Sequence, residues 1–218
     1  MIDLHMHTFF SDGALIPSEL MQRARSAGYK TMAITDHADS SNIESLMRKM
    51  SVFLKDISGH TDIKILSGVE LTHVIPSLIS SCTKLSRDHG AQIVLCHGET
   101  VVEPVIPGTN RAAIEAGVDI LAHPGLIAEQ DVILAAEKGV CLELTTRRGH
   151  CLTNGHVARL AKKYGAKLVL NTDTHAPNDL MNESLRESVI LGAGLCPADM
   201  DQIINNSEQL VARLTHIK

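Results

Sequence analysis

Aromatic and basic residues are both scarce in this 218-residue sequence. It has no tryptophan, two tyrosines and three phenylalanines, which leaves no set of rings on which nucleic-acid bases could stack. Lysine and arginine together number 20 against 25 acidic residues, so the net charge is −5 with histidine neutral. The basic footprint of a polynucleotide-binding protein is therefore missing. Both shortages make a nucleic-acid polymer an unfavourable partner.

Paired cysteines and long hydrophobic runs are also missing from the sequence. No apolar run approaches the length of a membrane span, and the first residues lack the basic and apolar regions of a signal peptide. The odd cysteine count and the lack of C-x-x-C spacing are typical of reduced thiols. We therefore expect a cytoplasmic protein with no membrane partner; the sequence gives no indication of oligomeric state. The five cysteines are Cys82, Cys96, Cys141, Cys151 and Cys196.

Short apolar runs alternate with amphipathic stretches along the whole chain. They predict strands at 2–5, 31–35, 63–70, 92–97, 118–122, 139–144 and 167–171. Helices are expected near 17–27, 42–57, 76–89, 109–116, 128–138, 153–164 and 182–193, with one or two more over 199–215. Seven βα units in series predict a parallel sheet. Because the chain contains no linker or low-complexity tract, residues 1–218 are expected to form one domain.

Polar residues follow the carboxyl ends of all seven predicted strands. In an open sheet, ligands gather at one switch point between two strands. Seven strand ends converge on one point only when the sheet closes on itself, as in a barrel with its site at the carboxyl end. The sequence therefore predicts an α/β fold, a seven-stranded relative of the (β/α)₈ barrel. The candidate metal ligands are His5, His7, Asp12, His37, Glu70, His97, His123, Asp173 and His175.

The residue types at these positions indicate a metal centre. Imidazole and carboxylate together suit zinc, manganese or iron. Nine ligands are too many for one ion, so we expect two or three divalent ions that share a carboxylate, with Glu70 as the bridge. Asp36 is expected to orient His37, and strand alternation should turn Cys96 away from the site. The histidines outside this pattern are interpreted as structural or surface residues: His60, His73, His89, His150, His156 and His216.

Arginine replaces a metal ligand at the end of the sixth predicted strand. Arg147 and Arg148 follow this strand, and a guanidinium group matches phosphate in a bidentate fork. We therefore interpret the pair as an anion clamp, with a solvated basic turn as the alternative. Arg111, at a predicted helix start, is a weaker candidate for substrate binding.

These residues resemble the PHP family, named for polymerase and histidinol phosphatase. The resemblance implies a distorted (β/α)₇ barrel with three metal positions. The first would be held by His5, His7, Glu70 and Asp173, the second by Glu70, His97 and His123, and the third by Asp12, His37 and His175. It also implies that Arg147 contacts phosphate. The motifs run over about 1–195: His5-x-His7-x₄-Asp12-Gly13, Asp36-His37, Gly68-Val69-Glu70, His97, Ala122-His123-Pro124 and Asp173-Thr174-His175.

The leading hypothesis is a metal-dependent phosphatase that acts on a small phosphorylated metabolite. A metal-bound hydroxide would attack the phosphorus of a histidinol-phosphate-like or nucleotide-like phosphomonoester. Arg147 would neutralise charge, and a metal-bound water, Asp12 or His175 would protonate the leaving oxygen. The alternatives are an exonuclease-type phosphodiesterase of the same family, an amidohydrolase-type metal hydrolase and a nonenzymatic interaction module. Lys64 is at the start of its strand, whereas amidohydrolases commonly carry a carboxylated lysine on a middle strand.

Overall fold

The computed structural model describes residues 1–216, in which strands and helices alternate. The strands are β1 (Ile2–Asp3), β2 (Thr31–Ile34), β3 (His37–Ala38), β4 (Lys64–Leu71), β5 (Ile93–His97), β6 (Ile120–Ala122), β7 (Cys141–Thr145) and β8 (Leu168–Asn171). The helices are α1 (Pro17–Ser26), α2 (Ile43–Ile57), α3 (Pro76–Asp88), α4 (Thr109–Ala116), α5 (Glu129–Lys138), α6 (Asn154–Tyr164), α7 (Glu183–Gly192) and α8 (Pro197–His216).

All strand pairs are parallel and follow the order β1-β2-β4-β5-β6-β7-β8. The short strand β3 comes soon after β2 and also pairs with β4, with His37 opposite Glu70. A parallel bridge between Met6 and Thr174 joins the two ends of this sheet. The sheet is therefore a nearly closed barrel, and the predicted distorted (β/α)₇ architecture is confirmed.

Two hydrophobic cores lie on opposite faces of the barrel wall. The outer core is formed by strand residues and by the helices that surround them. The inner core contains one face of the strands and is joined by Leu210, Val211 and Leu214 of α8. Since side chains alternate along a strand, residues that follow inner-core positions by two point into the barrel. Ile93 and Leu95 of β5 lie in the inner core, and His97 continues the same face. The barrel interior is thus apolar towards the amino ends of the strands and polar at their carboxyl ends.

The main differences from the sequence-based boundaries concern the first two predicted strands. The first strand ends at Asp3 rather than residue 5, because Leu4 packs in the inner core and Met6 in the outer core, which breaks the alternation. The predicted strand 31–35 is followed by the separate strand β3. The tail forms one helix, α8, in agreement with the one or two helices expected there.

The expectation that Cys96 points away from the site is confirmed. Cys96 is buried in the outer core, on the opposite side of the strand from His97. Among the helices of residues 1–216, none is both long and apolar enough to cross a membrane.

Candidate metal centre

Seven of the nine candidate ligands line one cavity of about 300 Å³ at the carboxyl end of the barrel. The other two, His5 and His7, are buried and lie directly against it. The Nε2 atom of His5 is 3.4 Å from Glu70, and the Nε2 atom of His7 is 3.1 Å from Asp173. The structure therefore brings all nine side chains together, although they come from positions as far apart as 5 and 175.

The candidate ligands form overlapping groups, with His7 and His123 each in more than one of them. His5, His7, Glu70 and Asp173 form the deepest group, in which His5 Nε2 is also 3.6 Å from Asp173 Oδ1. Glu70, His97 and His123 form a second group, with His123 Nε2 3.5 Å from Glu70 Oε1. Asp12 Oδ1 lies 3.2 Å from His37 Nε2 and 3.1 Å from His175 Nε2 in the third. Glu70 is common to the first two groups, as a bridging carboxylate must be.

The carboxylate of Asp36 holds the loop that carries Asp12. Asp36 accepts hydrogen bonds from Thr8 N, Thr8 Oγ1 and Ser11 Oγ at 2.7–2.8 Å. A Cβ atom at Gly13 would lie 2.5 Å from the carbonyl oxygen of His7, so only glycine allows this tight packing. The expectation that Asp36 orients the His37 ring is wrong, because its carboxylate is used by the loop.

In several of the candidate histidines, the hydrogen-bond partner of Nδ1 determines that Nε2 faces the other ligands. A carbonyl oxygen only accepts hydrogen bonds, so Nδ1 of His97 donates to Gly98 O at 3.1 Å and Nδ1 of His175 donates to Asp173 O at 2.8 Å. Nδ1 of His5 donates to the Glu143 carboxylate at 2.8 Å. In the neutral form of each ring the lone pair is therefore on Nε2, the atom that faces the neighbouring carboxylates.

Unpartnered buried atoms are concentrated at this centre. Within residues 1–216, six buried side-chain nitrogen or oxygen atoms lack a hydrogen-bond partner, and five of them belong to candidate ligands. Buried polar atoms without partners are costly, and a metal ion would satisfy those that face the neighbouring ligands, such as His5 Nε2, His7 Nε2 and Glu70 Oε1. The donor set of imidazole and carboxylate thus fits divalent metal ions. The five atoms are His5 Nε2, His7 Nδ1, His7 Nε2, Glu70 Oε1 and His123 Nδ1.

The electrostatics show that the centre requires positive charge. Burial alone would lower the pKa of His5, but the carboxylates of Glu143 and Glu70 raise that pKa well above its ordinary value. Burial would likewise raise the pKa of Glu70, but His5 and His123 hold it well below the usual range. For Asp173 the same opposition holds, and the neighbouring His5 and His7 lower its pKa. The carboxylates are therefore ionised in a buried site, which attracts protons or metal cations.

Backbone strain also marks this end of the barrel. Among residues 1–216, three non-glycine residues have positive φ: His73 at 53°, His123 at 27° and Asp173 at 53°. This left-handed region is unfavourable for residues with a Cβ atom, and such strain clusters at functional sites. Two of the three residues are candidate ligands.

Four further residues contact the candidate ligands although they were not expected to. Glu143 is buried and bonds to His5, and Glu103, His73 and His150 line the cavity. His73 and His150, which the sequence analysis interpreted as structural or surface residues, therefore lie next to the candidate ligands. Strand alternation could have identified Glu143, which is two residues after inward-facing Cys141. Among the remaining histidines, His60 and His89 are exposed, His156 is half-buried, and the side chain of His216 lies outside the described residues.

The three arginines occupy different environments. Arg147 lines the cavity, 3.9 Å from Asp173 Oδ2 and 3.3 Å from Asp179 Oδ2. Arg148 is exposed, and Arg111 pairs with Asp131 at 3.2 Å. Among the described residues that line the cavity, only Arg147 is an arginine. The structure thus places Arg147 at the cavity and Arg111 and Arg148 away from it.

Comparison with known proteins agrees with this geometry. An uncharacterized protein of Methanocaldococcus jannaschii is 45% identical over 215 residues, 97% of this chain and 99% of that protein. A probable phosphatase of Shewanella frigidimarina is 27% identical over 99% of this chain and 93% of its own length. The histidinol phosphate phosphatase of Lactococcus lactis, complexed with zinc, L-histidinol and phosphate, has a similar fold, with a TM-score of 0.61 at 16% identity over 89% of this chain and 94% of that chain. The PHP domain model matches residues 3–211, and the protein therefore belongs to the PHP domain family.

Proposed function

We propose that this PHP-family chain, a metal-dependent phosphoesterase, hydrolyses a small phosphomonoester. The observation that carries the proposal is a cavity of about 300 Å³ in which seven candidate ligands share the wall with one arginine. A phosphate group carries negative charge that the cations and the guanidinium would neutralise together. The resemblance of the chain to a probable phosphatase over nearly its full length supports the same chemistry.

The nine candidate residues are proposed to hold two or three divalent ions of zinc, manganese or iron. His5, His7, Glu70 and Asp173 would hold one, Glu70 with His97 and His123 a second, and Asp12 with His37 and His175 a third. When bound, such ions lower the pKa of water to supply a nucleophile and neutralise charge on the phosphate oxygens.

Arg147 is proposed to bind a phosphate oxygen at the cavity wall. Its guanidinium is held by Asp179, whose carboxylate also accepts hydrogen bonds from the backbone nitrogens of His175 and Ala176 at 2.9 and 2.7 Å. The turn after β8 therefore fixes the arginine in place. A preoriented guanidinium loses little entropy when it binds an anion.

The ionisation state of Asp12 limits which group could donate a proton to the leaving oxygen. Burial would raise the pKa of Asp12, but hydrogen bonds from His175 and His37 lower it far below its ordinary value. A carboxyl group that remains ionised is a poor acid and a good metal ligand. We therefore assign Asp12 to metal binding and keep bound water, or His175 when it holds no metal, as candidate donors.

The substrate is proposed to be small, with histidinol-phosphate-like or nucleotide-like compounds as candidates. The net charge of −5 and the five aromatic residues do not favour a polymer, whose binding depends on basic residues and stacking. An amidohydrolase mechanism is disfavoured by Lys64. This lysine is exposed at the start of β4 and, with Met1 and Lys30, lines a separate cavity at the amino ends of the strands.

The proposal is tested by measuring phosphate release from a panel of phosphorylated metabolites, with a dipeptide as the amidohydrolase substrate. We expect turnover of at least one phosphomonoester that is lost after metal chelation and restored by divalent ions. Asp173→Asn should remove this activity, whereas the exposed Glu137→Gln should keep it. Hydrolysis of the dipeptide without phosphate release from any phosphoester would contradict the proposal.

A further inference from the structure

The loop 98–108 between β5 and α4 brings one more carboxylate to the cavity. Glu103 Oε2 lies 3.0 Å from Nε2 of His97 and 3.3 Å from Nε2 of His73, and Oε1 lies 3.3 Å from Nε2 of His150. Of these residues, only His97 belongs to the nine candidate ligands. Of the other three, His73 and Glu103 are exposed and His150 is buried.

The contact between Glu103 and His97 brings two electron-pair donors together. Nδ1 of His97 donates its proton to the carbonyl oxygen of Gly98, so Nε2 carries a lone pair. A lone pair 3.0 Å from an ionised carboxylate oxygen is favourable only when a cation or a proton lies between them. The Nε2 atom of His73 completes a triangle with the same oxygen.

The dimensions of this triangle match one metal ion. Imidazole and carboxylate ligands bind zinc at about 2.0–2.2 Å, so tetrahedral neighbours are separated by roughly 3.3 Å. The three ligand atoms of His73, His97 and Glu103 all lie within 4.8 Å of one another, and two of the separations are 3.0 and 3.3 Å. Small shifts of exposed side chains would bring them into a coordination shell.

His73 has a backbone conformation that supports a functional role. Its φ of 53° places it in the left-handed region, as do the candidate ligands His123 and Asp173. A histidine in this region is strained relative to glycine or asparagine. Backbone conformations of this kind cluster at functional sites, and here one occurs in an exposed residue next to the candidate ligands.

The exposed fractions of the side chains distinguish the inner group of Glu70, His97 and His123 from the outer group of His73, His97 and Glu103. The side chains of Glu70 and His123 are 1% exposed, whereas those of His73 and Glu103 are 43% and 38% exposed. His97, at 3% exposure, lies between the two positions and is a member of both groups. An ion that enters from solvent would meet Glu103 and His73 before it reaches Glu70.

We propose that His73, His97 and Glu103 form an outer binding position for a divalent cation of the zinc class. From it the ion passes to the inner position of Glu70, His97 and His123. The proposal rests on the metal centre of the proposed function but adds a route of entry to it. His97 presents one Nε2 atom, so the two positions are filled in turn. The outer position therefore speeds metal uptake without adding an ion to the fully loaded protein.

The neighbouring loop holds Glu103 in the required place. Thr100 Oγ1 lies 2.8 Å from Nδ1 of His150, whose Nε2 faces the second oxygen of Glu103. A Cβ atom at Gly149 would be in contact with Val102, at 3.4 Å, so the loops 98–108 and 145–152 pack against each other. These contacts keep the carboxylate directed towards His73 and His97 and leave it accessible.

The first test measures uptake of cobalt(II) by metal-free protein, followed by the absorption of the bound ion. The variants are His73→Asn, which tolerates the left-handed backbone, and Glu103→Gln, which keeps the side-chain shape. His89→Asn, at an exposed histidine that ends α3, is the control. Both variants should take up one ion roughly tenfold more slowly, as expected for the loss of one ligand, and reach the wild-type stoichiometry. The control should match the wild type.

The second test isolates the outer position. His123→Ala removes an inner ligand, so His97 remains free to bind an ion with His73 and Glu103. Adding His73→Asn to this variant should lower the cobalt-to-protein ratio by one ion. Wild-type uptake rates in both single variants, or an equal ratio with and without His73, would overturn the proposal. A reduced final ratio in the single variants would also overturn the transit role. Because the readout is metal uptake, these results are distinguishable from failure of the phosphatase proposal, which concerns turnover.

Discussion

Oε1 of Glu143 lies 2.8 Å from Nδ1 of His5, and both side chains are completely buried. The same carboxylate accepts hydrogen bonds from Asn171 Nδ2 at 2.8 Å and from the backbone nitrogen of His123 at 3.0 Å. One residue of β7 therefore orients the ring of His5, fixes the strained turn at His123 and ties β7 to β8. Carboxylates in this position orient metal-bound imidazoles and raise their basicity.

Glu143→Gln should weaken metal binding although Glu143 is not a proposed ligand. The amide group keeps the shape of the side chain but removes the charge that favours the His5 proton on Nδ1. We expect roughly a ten- to hundred-fold loss of affinity for at least one ion, measured by competition with a chelator. Glu137→Gln, on the exposed face of α5, is the matched control. Equal affinity in the two variants would show that Glu143 has only a structural role.

Glu70→Gln should remove more than one ion. Oε1 of Glu70 faces His5 and His123, and Oε2 faces His7 and His37, so the carboxylate is shared between groups. Elemental analysis after metal reloading should show a loss of at least two ions per chain from a wild-type content of two or three. A loss of one ion would contradict the bridging role. His175→Ala, which affects the outermost group, should lose no more than one.

Arg147→Ala should reduce kcat/KM for a phosphomonoester by roughly ten- to hundred-fold, the equivalent of about 1.5–3 kcal/mol for one charged contact. The metal content should not change, because the guanidinium is not a metal ligand. Arg148→Ala is the control, since Arg148 is exposed and next to it in sequence. Equal and negligible effects at both positions would exclude the anion clamp.

Metal affinity should rise with pH. Burial would lower the pKa of His37, but hydrogen bonds with Asp12 and Glu70 raise it to about 10. The pKa of His5 is also raised. A raised pKa means that protons compete with metal ions until the pH approaches that value, so affinity is lost on acidification. Chelator competition at pH 6, 7 and 8 should give about tenfold tighter binding per unit for each proton released. Affinity that is independent of pH would contradict the protonated state of these rings.

The sequence predicts that the candidate ligands gather at one place because their positions are local properties of each strand. His97 and Asp173 continue an alternation that begins with the inner-core residues Ile93 and Val169, and barrel closure then brings the strand ends together. The break between β2 and β3 is harder to predict from the sequence, because it depends on the path of the chain around Asp36 rather than on the hydrophobic pattern.

The residues that the sequence did not identify depend on loop packing and on contacts between distant strands. Glu103 and His150 come from two loops that meet only in the folded barrel, and neither loop has a periodic pattern. Arg111, in contrast, was selected from the sequence but does not lie at the cavity. Its position at a helix start suggested anion binding, but Asp131 of the neighbouring helix pairs with it. Sequence patterns of this kind do not show which partner a long side chain will find.

The most direct test of the proposed function is a comparison of two substrates on the metal-loaded protein at physiological salt. The cavity of about 300 Å³ and the net charge of −5 favour a small phosphomonoester over a polymer. We expect kcat/KM for at least one small phosphomonoester to exceed that for ends of single-stranded DNA, with DNA acting as a weak competitor. A higher kcat/KM for processive cleavage of DNA ends would contradict this account and assign the chain to exonuclease-type chemistry.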